Sequence, residues 1–223
     1  MSFPNRARTI ALGAGAVIAL TACASNPVHY YTLVSPAASA TATTTATTTA
    51  TTTTTTTVAR TTAPPAINVL PVGIPAQLDQ QQMVVRSGTG TALILDNERW
   101  VAPLGDELRA ALSSALVEQL GARNVTGLPR PSNQAVMSIR TQVRRFDAWP
   151  GSMAQFEADW VVGVQQDTPG ARISCSTRLS EAAPGGYADM VRVQQRMIEQ
   201  FAARIASTVR SFGNGRPACP ADS

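Results

Sequence analysis

The chain has 223 residues, 18 of them basic and 14 acidic, with 44% hydrophobic residues and mean hydropathy near zero. It contains no lysine, and no basic run is longer than Arg144-Arg145, so it lacks the clustered cations by which a protein holds nucleic acid. One histidine and three cysteines leave too few ligands for a metal set or a catalytic triad with a histidine base, and neither a cofactor nor a metal is expected.

The first 22 residues have the order of a secretory signal. Arg6 and Arg8 form a positive start with no acidic residue before Cys23. Ile10 to Leu20 is an apolar run of eleven residues. About 20 would be needed to cross a hydrocarbon core, so the run suits the middle of a signal peptide and not a membrane span. The run leads into Leu20-Thr21-Ala22-Cys23, which resembles the lipobox of bacterial lipoproteins. That resemblance implies acylation of the Cys23 thiol, cleavage before it and a lipid-anchored mature protein. Ala24 follows where an aspartate would signal inner-membrane retention in enterobacteria, which favours the outer membrane. Without residues 1–22 the chain carries sixteen arginines against fourteen acids.

Residues 23–36 form the lipidated N-terminus and a short first strand. From Ala37 the chain is almost wholly threonine and alanine, with seven consecutive threonines at 51–57. Such a segment has too little apolar surface to offset the entropy of ordering it, so residues 37–65 are expected to lack a packed core. Two roles fit: a stalk that lifts the domain from the membrane, or an insertion between two paired strands. The second is preferred, because Tyr30, Tyr31 and Leu33 are too apolar for a stalk.

An α/β domain is expected over residues 66–213. Ile67 to Leu70 is a short apolar strand, and Met83 with Val85 and Thr91 to Leu95 flank a glycine-containing hairpin loop at 87–90. Leu104, Leu108, Leu112, Leu116 and Leu120 recur every fourth residue after Pro103 and before Gly121, the pattern of an amphipathic helix with its start and stop signals. Three strands with period-two alternation follow. Met137, Ile139, Thr141 and Val143 share one face of the first of them, and Arg144-Arg145 is expected to point to opposite faces. Phe156, Ala158, Trp160, Val162 and Val164 line the second, with Glu157 and Asp159 on its solvated side. Ile173, Cys175, Thr177 and Leu179 line the third. A stripe from Tyr187 through Met190, Met197, Phe201 and Ile205 to Phe212 marks a final helix, ended by Gly213 and followed by a tail at 214–223. The expected fold is a two-layer α/β sandwich, with two amphipathic helices on one face of a mixed, mainly antiparallel sheet.

Three positions outside the anchor stand out. An oxidising compartment would let Cys175 and Cys219 form a disulfide, the alternative being a buried thiol at 175 and an exposed one in the tail. Trp100 is either a partner-binding anchor or a core aromatic that closes the end of the sheet. His29 lies six residues from Cys23, a poor place for a general base. No catalytic constellation emerges, and a non-enzyme is expected.

The ordered set of short motifs resembles the PqiC-type lipoproteins, the ABC-type transport auxiliary lipoproteins. His29-Tyr30-Tyr31-Thr32-Leu33 is similar to their Tyr-Tyr-x-Leu start, and Ile67 to Asp79 to their next strand and Pro-x-x-Leu-Asp element. Met83 to Arg86, Arg99 to Leu104 and Arg144 to Phe146 then follow in the family's order. The resemblance implies an anticodon-binding-domain-like fold and no catalytic residues. It further implies work beside an MCE-type lipid-transport system, docking its periplasm-spanning tunnel at the periplasmic face of the outer membrane. The partners would be an MCE-domain protein and further copies of the chain in a ring. The competing class is a structural or assembly lipoprotein that scaffolds another envelope complex.

Overall fold

A computed structural model describes residues 26–36, 64–131, 134–165 and 170–220. The signal peptide, Cys23 and most of the Thr/Ala tract lie outside the described residues.

Among the described residues, eight strands and two α-helices run in the order β1 (His29–Tyr31), β2 (Ala66–Val69), β3 (Gln82–Arg86), β4 (Ala92–Trp100), α1 (Leu104–Leu120), β5 (Arg123–Asn124), β6 (Val136–Trp149), β7 (Ser152–Gln165), β8 (Arg172–Ala183) and α2 (Tyr187–Gly213). The strands divide between a five-stranded sheet, β5-β2-β6-β7-β8, and a three-stranded sheet, β1-β4-β3. The fold is thus the expected α/β sandwich, but with two sheets in place of one. The division follows from β4, which pairs with β3 antiparallel and with β1 parallel. Its register against β3 shifts between Gln82 and Val84, an irregularity of the kind that bends a hairpin away from its neighbour's plane. A side-chain link remains, Arg86 Nε donating to Asp147 Oδ1 at 2.9 Å.

In the large sheet, β6, β7 and β8 form an antiparallel meander, and β2 and β5 add to its β6 edge in parallel. The alternation read from the sequence sets the buried face, with Met137, Ile139, Thr141 and Val143 inward on β6 and Phe156, Ala158, Trp160 and Val162 on β7. On β6 the inward set then changes parity to Phe146 and Ala148. The cause is a bulge between Val143 and Arg145, one extra residue that slips the period by one. This corrects the expectation for Arg144-Arg145: both are exposed, and they pair with Asp159 and Glu157 of β7.

Both helices cover the apolar face, α1 over β2 and β5 and α2 over β7 and β8. The leucine repeat of α1 is buried at Leu104, Leu108, Leu112 and Leu116, and Gly121 ends the helix at φ 57°, a left-handed conformation that suits glycine. A chain of aromatic rings runs through the core: Trp100 to Phe146, Phe146 to Phe156, and Phe201 against both Phe156 (centroids 5.0 Å apart) and Trp160. The indole of Trp160 donates to Thr177 Oγ1 at 3.0 Å, which satisfies the one polar atom that this ring buries. Beyond β2 the chain stays against β6 through Gly73, whose N–H donates to the Thr141 carbonyl at 3.0 Å. A Cβ there would lie 2.2 Å from Gln142 Oε1, so any larger residue would require the Gln142 side chain to swing aside.

Candidate anchoring and docking site

The segment just after Cys23 is built into the fold. Its strand β1 pairs His29 with Glu98, Tyr30 with Arg99 and Tyr31 with Trp100, and the Val101 N–H donates to the Tyr31 carbonyl at 2.9 Å. Leu33, four residues past Tyr30's predecessor, is fully buried in the main core.

A single carboxylate holds this segment down. Glu107 sits in the first turn of α1 within its apolar stripe, only 5% exposed. One of its oxygens accepts from Thr32 Oγ1 at 2.8 Å and from the Leu33 N–H at 2.9 Å. The other accepts from the Ala102 N–H at 3.2 Å, so one side chain ties the N-terminal segment to the loop before its own helix. A helix N-terminus also carries positive partial charge, which favours a carboxylate there. Helix α2 adds two bonds, Gln195 Nε2 donating to the Thr32 carbonyl and Ser35 Oγ to Glu199 Oε1. Sequence reasoning missed Glu107. Its signal was an acid at a stripe position, three residues after Leu104 and four before Ala111.

Around β1 the titratable groups face one another. His29 Nδ1 lies 2.9 Å from Glu98 Oε1. The Tyr31 hydroxyl is pushed from its ordinary value of 10.0 up to about 12, first by burial and then by the neighbouring Glu98 carboxylate.

Trp100 is a core residue, 3% exposed, with its ring tilted against Phe146. That burial corrects its reading as a partner-binding anchor, because a side chain without surface offers nothing to a partner. It pairs with Tyr31 of β1 at the end of β4. Cys175 and Cys219 are joined by a disulfide with Cα atoms 5.7 Å apart. The bridge holds the C-terminal tail against β8, and Thr208 Oγ1 donates to the Ala218 carbonyl from the α2 side.

The uncovered face of the large sheet is polar. Glu157 and Asp159, the two acids that alternate on β7, are paired with Arg145, Arg178 and Arg144 at 3.5, 3.7 and 2.8 Å. A hollow of about 250 Å³ opens beside them, lined by Asn68, Ser138, Arg140, Gly163 and Arg172. Among the described residues no three His, Cys, Asp or Glu side chains gather as a metal ion would require. No described helix is long and apolar enough to cross a membrane.

The model of the ABC-type transport auxiliary lipoprotein component matches residues 31–206, from the second residue of the Tyr-Tyr pair to the last buried turns of α2. The chain belongs to this family. Two solved structures are similar in fold. One is an uncharacterised protein, 24% identical, with a TM-score of 0.56 over 65% of this chain and 92% of that one. The other is a protein of family DUF330 from Xanthomonas campestris, 14% identical, with a TM-score of 0.53 over 69% of this chain and 90% of that one. No curated protein matches the chain. The family matched is an auxiliary of ABC-type transport, and the Tyr31-to-Leu33 segment, with Leu33 buried and its Glu107 clamp, falls within the matched span.

Proposed function

We propose that this protein is a non-catalytic lipoprotein of the outer membrane's periplasmic face. In this reading it serves an MCE-type ABC lipid-transport system by docking the tunnel that carries lipid across the periplasm, and it does so as a ring of copies. The observation that carries the reading is the placement of β1. Cys23 lies six residues before His29, and His29 already belongs to a strand of the domain. At roughly 3.3–3.6 Å per residue, acylated Cys23 would hold the domain within about 20 Å of the bilayer. A protein so tightly seated suits a fixed receiver at a membrane surface and not a diffusing carrier. Two or three acyl chains give durable anchoring where one gives only marginal binding.

Two measurements test the reading. Labelling with a radioactive fatty acid should mark the wild-type chain and leave Cys23→Ser unlabelled; equal incorporation overturns the anchor. A tagged wild-type chain drawn from detergent-solubilised envelopes should bring an MCE-domain subunit and bound phospholipid with it. Recovery of a different envelope complex without lipid would favour a scaffolding lipoprotein instead.

A further inference from the structure

Six large apolar side chains are exposed among the described residues, and five of them cluster on or beside the small sheet: Val28, Tyr30, Leu93, Ile94 and Val101. The sheet's register shows which of them share a face. Tyr30 pairs with Arg99, which also pairs with Gln82, and Val84 pairs with Ile94. Paired residues project to the same side and successive ones to opposite sides. Buried Trp100 thus turns Arg99 and Tyr30 outward, and buried Met83 and Val85 turn Val84 and Ile94 outward beyond the register shift between Gln82 and Val84. Tyr30 and Ile94 therefore look outward together, while Met83, Val85 and Trp100 face the core. Tyr30 is 60% and Ile94 59% exposed, and Val101, at 57%, follows directly on β4's last residue.

This face lies where the chain leaves the domain. Val28, 41% exposed, is the fifth residue after Cys23, so its Cα can stand no more than about 18 Å from that of the anchor residue. A lipid attached at Cys23 would thus bring this apolar face to the bilayer before any other. The apolar clustering is the second observation: side chains this large are seldom exposed together without a surface to meet. A tyrosine beside aliphatic residues also suits the headgroup boundary, with an apolar ring and a polar tip. Arg99, in the same cross-strand row as Tyr30, adds a cation where phospholipids present phosphates.

We propose that the outer face of the three-stranded sheet, with Tyr30, Ile94, Val28 and Val101, rests on the lipid bilayer. It would fix the domain's orientation so that the five-stranded sheet and its polar face are held away from the membrane. The proposal rests on anchoring at Cys23, and its test supplies that anchor chemically so that the two ideas fail separately.

The chain from residue 23 onward is coupled through the Cys23 thiol to maleimide-headgroup lipid in vesicles of phosphatidylethanolamine and phosphatidylglycerol, the other two cysteines being bridged. Ile94→Trp and, as control, Leu128→Trp each place an indole at an exposed apolar position, Leu128 lying in the loop after β5 of the other sheet. Bromines on the acyl chains quench only by contact. The emission that Ile94→Trp adds to that of the three native tryptophans should lose about half its intensity in brominated vesicles, and the emission that Leu128→Trp adds should not change, as a fixed orientation requires. Without coupling, Tyr30→Ser with Ile94→Ser should weaken vesicle binding at least about tenfold, in line with the loss of two buried apolar side chains. Equal quenching at both positions, or none at Ile94→Trp, overturns the proposal. An Ile94→Trp indole shielded from aqueous iodide yet untouched by bromines would assign the face to a protein contact and overturn it equally.

Discussion

Glu107 offers the sharpest perturbation of the anchoring segment. Its replacement by alanine would remove the acceptor of three hydrogen bonds at once, from Thr32 Oγ1, the Leu33 N–H and the Ala102 N–H. Thr32 can turn its hydroxyl to water, but the buried Leu33 amide cannot. An unpartnered buried donor costs about 1–3 kcal/mol, and the part-buried Ala102 amide adds less, so the loss should total roughly 2–4 kcal/mol. Much of it falls on local opening of β1, because the helices and the large sheet do not depend on this carboxylate. At about 1.4 kcal/mol per decade, the amides of Leu33 and Val101 should exchange roughly 30- to 700-fold faster. Glu107→Gln keeps one acceptor oxygen but turns an N–H₂ group toward a donor, so it should fall between wild type and alanine. Hydrogen exchange followed by mass spectrometry reads these amides directly. Exchange within about threefold of wild type at both would refute the view that Glu107 holds the segment.

Other perturbations follow from the same geometry. Reduction of the Cys175–Cys219 bridge, or Cys219→Ser, should cost about 4 kcal/mol in the chain-entropy model for a separation of 44 residues. Alkylation without reductant should label neither cysteine, and two labelled thiols would contradict the bond. The Tyr31 hydroxyl, raised from 10.0 to about 12, holds its proton more tightly in the folded state. Its contribution is therefore complete below pH 10 and is lost as pH rises from 10 toward 12, and Tyr31→Phe should flatten that part of the denaturation profile. Deletion of residues 37–62 should leave β1 paired and change stability by less than about 2 kcal/mol, because loop-closure cost grows only logarithmically with length. Limited proteolysis within the tract, followed by size exclusion without denaturant, checks the same point: release of residues 23–36 would show that β1 does not hold.

The layers of this fold were legible where periodicity was regular. The leucines of α1, the stripe of α2 and the alternation on β7 and β8 follow directly from 3.6- and 2-residue periods. The reading failed where one residue breaks the period. The β6 bulge turned Arg144 and Arg145 to the same side, and no residue type at that point announces a bulge. The split into two sheets was equally hidden, since strand partners depend on contacts distant in sequence, such as β1 with β4. Trp100 had two readings that burial alone separates, and only the fold supplies burial. Glu107 left a faint mark, a charge within an apolar stripe, which is legible once one asks what a buried acid must accept.

The central claim is that a membrane-held copy of this chain receives an MCE-type tunnel. The most direct measurement is flotation of the purified periplasmic region of an MCE-domain protein from the same envelope with vesicles that carry the chain coupled through Cys23. The account predicts that the MCE-domain protein floats with these vesicles, saturably, and stays at the bottom of the gradient with bare ones. If it remains at the bottom in both, at concentrations that load every anchored chain, the docking role is contradicted.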